Sequence, residues 1–377
     1  MLTDLRYRAG CLKLKIHEGD LMTVNITSLV RKNILKMKKY ASARDEFSGK
    51  AKIFLDANEN SFASPTDEKL NRYPDPLQKQ LRDKIAAYKG ISSPEGLFLG
   101  NGSDEAIDLV IRAFCEPRID SMMLLPPTYG MYSVCANIND IKIIEVELNK
   151  DFSLDVEKII ETANKEKAKV IFICSPNNPS ANVYDEKDVE AVLKNVNSLV
   201  IVDEAYIDFS DSPSWVKRRD EFNNLIVLQT FSKAWGMAGV RLGMAYADPE
   251  VVQVLNKIKY PYNLNDVTAN IVLKTLIDPT RKEVMVEKIK KERSFLMNAF
   301  SNMTLVKEVI PSQANFFLAR FDEPDDVYTY LTEEGIIVRN RSDQLHCEGC
   351  LRITVGTHEE NEMLCEALQA YTKRNKS

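Results

Sequence analysis

No apolar stretch of this sequence approaches the roughly 18 residues that a membrane-spanning helix needs. The first 21 residues carry charges throughout and lack the apolar segment of a signal peptide. The seven cysteines are odd in number and lie mostly inside apolar segments, which is typical of reduced thiols rather than a disulfide framework. A net charge of −5 argues against a general nucleic-acid or membrane-surface binder. We therefore expect a cytoplasmic protein without nucleic-acid or membrane partners.

Internal repeats, low-complexity segments and paired metal ligands are also missing. The absence of repeats argues against a solenoid fold. The segment "HCEGC" (346–350) resembles half of a zinc site, but no second pair stands at ligand spacing, so we expect no metal. The glycine turn "GNGSDE" (100–105) matches the dinucleotide-binding pattern G-x-G-x-x-G only in part. A nucleotide- or NAD-binding protein therefore stays open as an alternative of another class.

Strand-like and helix-like segments alternate between about residues 96 and 248. The strand-like segments are short, nearly continuous apolar runs: "GLFLG", "SMMLLP", "IKIIEVEL", "AKVIFICSP", "SLVIVDEAY", "NLIVLQTF" and "RLGMAYA". Such runs, separated by amphipathic helices, predict an α/β fold with a mainly parallel sheet covered on both faces by helices. A helix-rich bridge from Asp266 to about Met303 precedes a mixed pattern that predicts a smaller α+β domain.

We expect four parts along the chain. Residues 1–21 are expected to be a loose extension or a mis-set start, with Met22 as a second plausible beginning. Residues 22–64 are expected to form an N-terminal arm and part of the small domain. The predicted large domain covers residues 65–265, and the bridge helices with the small C-terminal domain cover residues 266–377.

Polar residues that follow the predicted strands deserve inspection, because ligands bind beyond the carboxyl ends of the strands in such sheets. Ser103 follows the first strand at a predicted helix start, where free amides bind anions, although taken alone a plain capped helix is the simpler interpretation. Tyr129 follows two prolines and can offer a ring face, or simply be packed. Asn177 and Asn178 precede Pro179 in what is otherwise a common turn pattern.

Two charged positions are harder to explain as packing. Asp203 and Glu204 interrupt a run that should be buried, and a buried carboxylate requires a partner unless it is an exposed strand end. Lys233 stands among small residues after the strand 225–228, where desolvation lowers an amine's pKa and makes it a nucleophile and proton carrier. Arg241, eight positions on, has the planar fork that suits a phosphate.

Together these residues suit one ligand, pyridoxal 5′-phosphate. That cofactor needs a lysine for a Schiff base, a carboxylate at its ring nitrogen, an aromatic face, donors for its phenolic oxygen and an anion site for its phosphate. We predict Lys233 as the Schiff-base lysine. A binding protein without a cofactor is the remaining alternative, and it leaves this set of reactive residues unexplained.

The sequence from about Asn33 to Tyr371 resembles the fold type I pyridoxal-phosphate aminotransferases, and among them the histidinol-phosphate aminotransferases. The matching segments are "LDANEN" (55–60), "NRYPDP" (71–76), "GNGSDEAID" (100–108), "PPTYGMYSV" (126–134), "SPNNPS" (175–180), "VDEAYIDF" (202–209), "TFSKAWGMAGVRLG" (230–243) and "CLRITVGT" (350–357). The resemblance implies transfer of an amino group between L-histidinol phosphate and 2-oxoglutarate in histidine biosynthesis. An aromatic amino-acid aminotransferase and a threonine-phosphate decarboxylase are the nearest alternatives.

The resemblance also implies a role for each matching residue. Lys233, Asp203 and Tyr206 are expected to be catalytic. The expected cofactor-binding set is Ser103, Asp104, Tyr129, Asn178, Asp203, Tyr206, Thr230, Ser232, Lys233 and Arg241, with Tyr73 reaching the cofactor phosphate of the other subunit of a homodimer with shared sites. Arg352, Arg339 and Asn58 are expected to bind substrate, although Arg339 could also be an ordinary surface residue. "NENSFAS" lacks the usual Pro and Gly, and Ser180-Ala181 replaces the usual Thr-Gly.

Overall fold

The computed structural model describes residues 23–40, 52–66 and 68–374 of the 377-residue chain. Its helices are α1 (Ile26–Leu29), α2 (Lys32–Lys36), α3 (Lys79–Lys89), α4 (Gly102–Phe114), α5 (Met131–Ile138), α6 (Val156–Glu166), α7 (Glu186–Asn195), α8 (Pro249–Ile258), α9 (Asp266–Thr275), α10 (Thr280–Ser301), α11 (Pro324–Glu333) and α12 (His358–Arg374). Its strands are β1 (Leu97–Asn101), β2 (Ser121–Leu124), β3 (Lys142–Glu145), β4 (Val170–Cys174), β5 (Leu199–Asp203), β6 (Leu225–Thr230), β7 (Leu242–Ala247), β8 (Val306–Val309), β9 (Phe316–Phe321), β10 (Arg339–Asn340) and β11 (Cys350–Thr354).

The larger sheet has seven strands in the order β1-β7-β6-β5-β4-β2-β3. All neighbours from β6 to β3 pair in parallel, whereas β7 is antiparallel to both β6 and β1. The reversal follows from the connection between β6 and β7, which lacks the long crossover helix that a parallel neighbour requires. Every residue of β4, β5 and β6 is buried. This burial agrees with the apolar runs of the sequence and with helices on both faces of the sheet.

The smaller sheet has four antiparallel strands in the order β10-β11-β9-β8. Its core joins one face of β9 and β11 to α10, α11 and α12, through residues such as Phe317, Leu351, Ile353, Leu331 and Leu368. The expected large α/β layer with a smaller α+β unit is therefore confirmed. The proposed domain boundaries at residues 64/65 and 265/266 stay a prediction.

The segment 23–40 packs against the larger sheet. Val24, Ile26 and Leu29 are buried in the same cluster as α4 and α8. The Val24 amide donates to Asn223 Oδ1 at 3.1 Å, and Arg31 forms an ion pair with Glu116 at 3.1 Å. This part of the expected N-terminal arm therefore lies on the larger unit, and the expectation that residues 22–64 also contribute to the smaller domain stays a prediction. The expectation for residues 1–21 lies outside the described residues.

No helix within the described part of the chain combines the length and the apolar character needed to span a bilayer. The same residues contain no cluster of three or more His, Cys, Asp or Glu side chains placed to bind a metal ion.

Candidate active site

A cavity of about 210 Å³ lies at the carboxyl ends of the central strands of the larger sheet. Parallel strands end at one edge of a sheet, so residues far apart in sequence meet there. The cavity is lined by ten of the eleven expected cofactor-binding residues: Ser103, Asp104, Tyr129, Asn178, Asp203, Tyr206, Thr230, Ser232, Lys233 and Arg241. Tyr73 is the one that does not line it. Gly102, Cys174, Ala205 and Ala238 complete the lining.

Asp203 stands at the end of β5 and is only 3% exposed. Its carboxylate accepts a hydrogen bond from the Tyr132 hydroxyl at 2.7 Å and from the Ala205 amide at 3.1 Å. Burial raises the pKa of Asp203 to about 6, and the two hydrogen bonds limit the rise. The carboxylate thus lines the cavity without an ion-pair partner among the described residues. It suits a cationic ligand atom.

Tyr132 was not anticipated from the sequence. It is fully buried in α5 and stacks on Phe172, with ring centroids 4.4 Å apart. This packing fixes the hydroxyl that donates to Asp203. The available signal was its position three residues after Tyr129, the spacing that places both rings on one side of a helix start. Their rings do meet edge to face, with centroids 5.4 Å apart.

Lys233 follows β6, and its side chain reaches into the cavity. Its Nζ lies 5.4 Å from the centre of the Tyr206 ring. Burial lowers the pKa of Lys233, and the positive charge of Arg352 lowers it further, while Asp203 opposes both. No carboxylate within the described residues forms an ion pair with it. The arrangement favours a neutral amine, the form that acts as a nucleophile or accepts a proton.

The start of α4 forms the opposite wall. The helix begins at Gly102, so Ser103 lies in its first turn and is not the N-cap that the sequence suggested; Asn101 takes that position. Gly102 has φ +74° and donates its amide to the Arg241 carbonyl at 2.9 Å. A Cβ on Gly243 would lie 2.1 Å from the Ser103 nitrogen. Glycine at 243 therefore allows β7 to approach the free amides of the helix.

Arg241 and two hydroxyl groups face these amides. The Thr230 hydroxyl donates to Ser232 Oγ at 3.0 Å, and Arg241 Nη1 lies 3.5 Å from the same Ser232 oxygen. Arg241 Nη2 is 3.8 Å from Asp104 Oδ2. A helix N-terminus, a guanidinium and hydroxyl donors together form an anion site, and their chemistry matches a phosphate.

Asn178 connects this wall to the smaller sheet. Arg352, on β11, donates from Nη1 to Asn178 Oδ1 at 2.6 Å. The guanidinium also lies 5.2 Å from the centre of the Phe316 ring, against which Tyr206 packs edge-on at 5.0 Å. The neighbouring Asn177 instead donates to the Pro127 carbonyl at 2.9 Å and supports the loop. Of the two asparagines, only Asn178 lines the cavity.

Comparison with known families decides the assignment. The family described as aminotransferase class I and II matches residues 51–368. The chain belongs to that family. A histidinol-phosphate aminotransferase of Parabacteroides distasonis is 51% identical over 345 residues, covering 92% of this chain and 98% of the relative. A histidinol-phosphate aminotransferase of Cytophaga hutchinsonii is 50% identical over 350 residues, covering 93% of this chain and 100% of the relative.

Within the family, the chain therefore belongs with the histidinol-phosphate aminotransferases. Its fold is also that of the histidinol-phosphate aminotransferase of Sinorhizobium meliloti, solved in complex with pyridoxal 5′-phosphate. That structure matches with a TM-score of 0.73 and 20% identity, covering 84% of this chain and 90% of the other. The expected fold type I architecture is confirmed.

Tyr73 and Asn58 lie outside the cavity of this member of the family. Both line a separate, more open groove, where Tyr73 is half-exposed and stacks on Tyr262 with ring centroids 4.5 Å apart. Glu59 Oε1 accepts the Tyr73 amide at 2.7 Å. Arg339 is exposed on β10, directly opposite Arg352 on β11. The expected roles of these residues stay predictions.

One departure from the family pattern has a visible structural setting. Ala181 replaces the usual glycine and has φ +62°, a conformation that glycine adopts without strain. Ala181 is fully buried, and its carbonyl accepts the Gln313 amide at 2.7 Å. Ser180 accepts a hydrogen bond from Asn177 Nδ2 at 2.7 Å. Ser180 and Ala181 therefore lie beside the site, in the same loop that orients Asn178.

Proposed function

We propose that this protein transfers the amino group of L-histidinol phosphate to 2-oxoglutarate, giving imidazole-acetol phosphate and glutamate. The observation that carries the proposal is the identity of about half of all positions over 92% of the chain with histidinol-phosphate aminotransferases. It is an aminotransferase with pyridoxal 5′-phosphate as cofactor. We also propose that it acts in the cytoplasm, in histidine biosynthesis.

The cavity fits this cofactor. Asp203 is a buried carboxylate without an ion pair among the described residues, so a protonated ring nitrogen would compensate its charge. The start of α4, with Ser232 and Arg241, would hold the phosphate, and Thr230 supports Ser232. Tyr129 would offer its ring face, and Asn178 and Tyr206 would hold the phenolic oxygen. When bound, the cofactor withdraws electrons from the carbon that carries the substrate amine.

Lys233 would hold the cofactor covalently and then act as the proton carrier. Its lowered pKa shifts the amine toward the neutral form, which a nucleophile and a base both require. We propose that Nζ takes the proton from the substrate's α-carbon and carries it during the transfer. Asp203, held in place by the hydrogen bond from Tyr132, would keep the ring nitrogen of a bound cofactor protonated.

Arg352 would bind the anionic group of either substrate, because its guanidinium donates to Asn178 and its charge acts on Lys233. Arg339 and Asn58 are proposed to contribute on the substrate side. Tyr73 is proposed to reach the cofactor phosphate of a second subunit, so that a homodimer shares its two sites. The exposed position of Tyr73, away from the cavity of its own chain, is compatible with such a role.

Half-reaction spectra of the purified holoenzyme test the proposal. Single additions of histidinol phosphate, glutamate, phenylalanine and phosphothreonine should change the visible absorption of the cofactor only for the first two. A response to phenylalanine would favour an aromatic aminotransferase. A loss of carbon dioxide from phosphothreonine would favour a decarboxylase. A protein without visible absorption after cofactor addition would contradict the assignment as a whole.

A further inference from the structure

A row of arginines lies on the face of β10 and β11 that is turned toward the larger sheet. Arg339 pairs with Arg352, and the Arg341 amide donates to the Cys350 carbonyl at 2.9 Å, which extends the ladder by one position. Side chains alternate along a strand, so residues 339, 341, 350 and 352 share one face. Cys350 is buried in the core cluster of the larger sheet, whereas Leu351 is buried in that of the smaller one. The arginines therefore share the face turned toward the larger sheet, from which Arg352 reaches the cavity residue Asn178.

Within the part of the chain that the structure describes, the Arg341 side chain has no hydrogen-bond or ion-pair partner. Its Nε is buried without a hydrogen bond, and so are Ser342 Oγ and Gln344 Oε1 next to it. Neither Arg339 nor Arg341 has an ion pair with a carboxylate in the described part of the chain. The neighbouring Arg320 is different, because its Nε donates to Glu308 at 3.1 Å. A buried guanidinium N–H without an acceptor is costly, and a ligand that supplies the acceptor removes this cost.

The three guanidinium groups also act on one another. Burial lowers the pKa of Arg341, and the positive charge of Arg339 lowers it further. Burial likewise lowers the pKa of Arg352, with the charge of Arg341 as the next contribution. Tyr206, a residue of the cavity, raises both pKa values. Cations that repel one another beside a cavity form a site that prefers a doubly charged anion.

We propose that Arg341 binds the phosphate group of the substrate together with Arg352, and so favours a phosphate ester over a carboxylate substrate. Arg352 is placed beside Asn178, and Arg341 is the half-buried cation adjacent to it on the same face. Arg339 is more exposed and contributes through a more strongly screened charge. Coulomb attraction to a dianion is about twice that to a monoanion at the same distance. This inference rests on the proposed function.

The test compares Arg341→Gln and Arg341→Lys with the wild-type holoenzyme. We expect Arg341→Gln to lower kcat/KM for histidinol phosphate by about 10-fold or more, as for loss of a charge-assisted contact, and that for glutamate by less than about 3-fold. The inhibition constant of inorganic phosphate should rise in parallel. Arg341→Lys should recover part of the loss, because it keeps the charge but not the fork. Arg118→Gln is the control, since Arg118 precedes β2 and its exposed ion pair is with Asp140, which precedes the edge strand β3.

Two outcomes overturn the inference. Equal losses of kcat/KM for both substrates would mean that Arg341 supports the pocket as a whole. Unchanged kcat/KM values together with an unchanged inhibition constant of inorganic phosphate would show that Arg341 is not part of the site. A wild-type enzyme that accepts glutamate but not histidinol phosphate would instead contradict the proposed function. In that case the inhibition constant of inorganic phosphate still decides, by itself, whether Arg341 contributes to an anion site.

Discussion

Individual residues in this protein acquire their chemistry from what surrounds them. Asp203 and Glu204 are adjacent in sequence and both fully buried, yet they point to opposite faces of the larger sheet. Asp203 lines the cavity and accepts a hydrogen bond from Tyr132. Glu204 is bound by Ser214, Trp215 and Gln229 on the other face. Only the first carboxylate is therefore available to a ligand.

Substitution of Asp203 by asparagine should abolish most of the activity while the protein still folds. An amide carries no charge to keep a ring nitrogen protonated, so kcat should fall by several orders of magnitude. Steady-state kinetics with histidinol phosphate would measure this. Near-normal turnover of Asp203→Asn would remove the residue from the proposed role.

The same variant has a second readout in the cofactor-free protein. The pKa of Asp203 is raised in the folded state, to about 6, so the folded protein binds the proton more tightly than the unfolded chain does. Wild-type stability should therefore fall, relative to Asp203→Asn, as pH rises from about 4 through 6, by on the order of 3 kcal/mol. Urea denaturation at pH 4.5, 6 and 7.5 would measure the difference. A constant difference would contradict the raised pKa.

At the scale of elements, the side chain of Glu204 connects β5, β6 and a 3-10 helix. Its Oε1 accepts the Trp215 amide at 2.6 Å, and its Oε2 accepts the Ser214 hydroxyl at 2.5 Å and Gln229 Nε2 at 2.8 Å. These bonds hold the 3-10 helix Trp215–Glu221 against β5 and β6. Burial raises the pKa of Glu204 to about 7, although the same hydrogen bonds lower it.

Glu204→Gln should destabilise the protein more at pH 5 than at pH 8. The raised pKa means that the wild type gains stability from a bound proton at low pH and loses it as pH rises through about 7. The glutamine cannot titrate, so the difference between the two proteins should shrink by on the order of 3 kcal/mol between these pH values. Denaturant titrations of both proteins measure it. A difference that grows with pH would show that the ionised form is favoured instead.

The contact between β7 and α4 gives a third prediction. Gly243→Ala would place a methyl group 2.1 Å from the Ser103 nitrogen, so the helix start must move away from the strand. We expect a lower melting temperature and a cofactor affinity weakened by at least about 10-fold, because the phosphate cradle is displaced. Absorbance titration with pyridoxal 5′-phosphate measures the affinity.

Gly239→Ala is the matched control for that experiment. It lies in the connection between β6 and β7, shortly before Gly243, and its added Cβ would have no neighbour within 4 Å. If both alanine variants bind the cofactor as the wild type does, the close approach of β7 to the helix is not required for the cradle.

At the scale of the whole molecule, the proposed dimer can be tested by mixing subunits. A Tyr73→Phe subunit and a Lys233→Ala subunit should form heterodimers that each contain one site with both lesions and one with neither. Random exchange of equal amounts should restore about a quarter of wild-type activity, since half of the dimers are mixed and each has one intact site. Mass spectrometry verifies the exchange. Activity that stays at the parental level in verified heterodimers would contradict a shared site.

The sequence by itself determined the elements of the larger sheet and the order of reactive residues along it. Continuous apolar runs predict buried strands, because a strand covered on both faces has no polar side, and β4, β5 and β6 confirm this. Lys233 and Asp203 were identified for the same local reason, as charged groups beside apolar runs. The start of α4 was misplaced by two residues, since helix ends depend on contacts such as that between Gly102 and Arg241.

Only the tertiary structure decided which partners these groups have. Tyr132 and Asp203 are 71 positions apart, and Arg352 and Asn178 are 174 positions apart. No local pattern records such a pair. Arg341 shows the same limit. That its buried Nε lacks a hydrogen-bond acceptor among the described residues can be seen only when every neighbouring element is in place. Periodicity and composition report on a residue's own strand or helix, whereas the pKa values and the hydrogen-bond partners of the site residues depend on which strands end side by side.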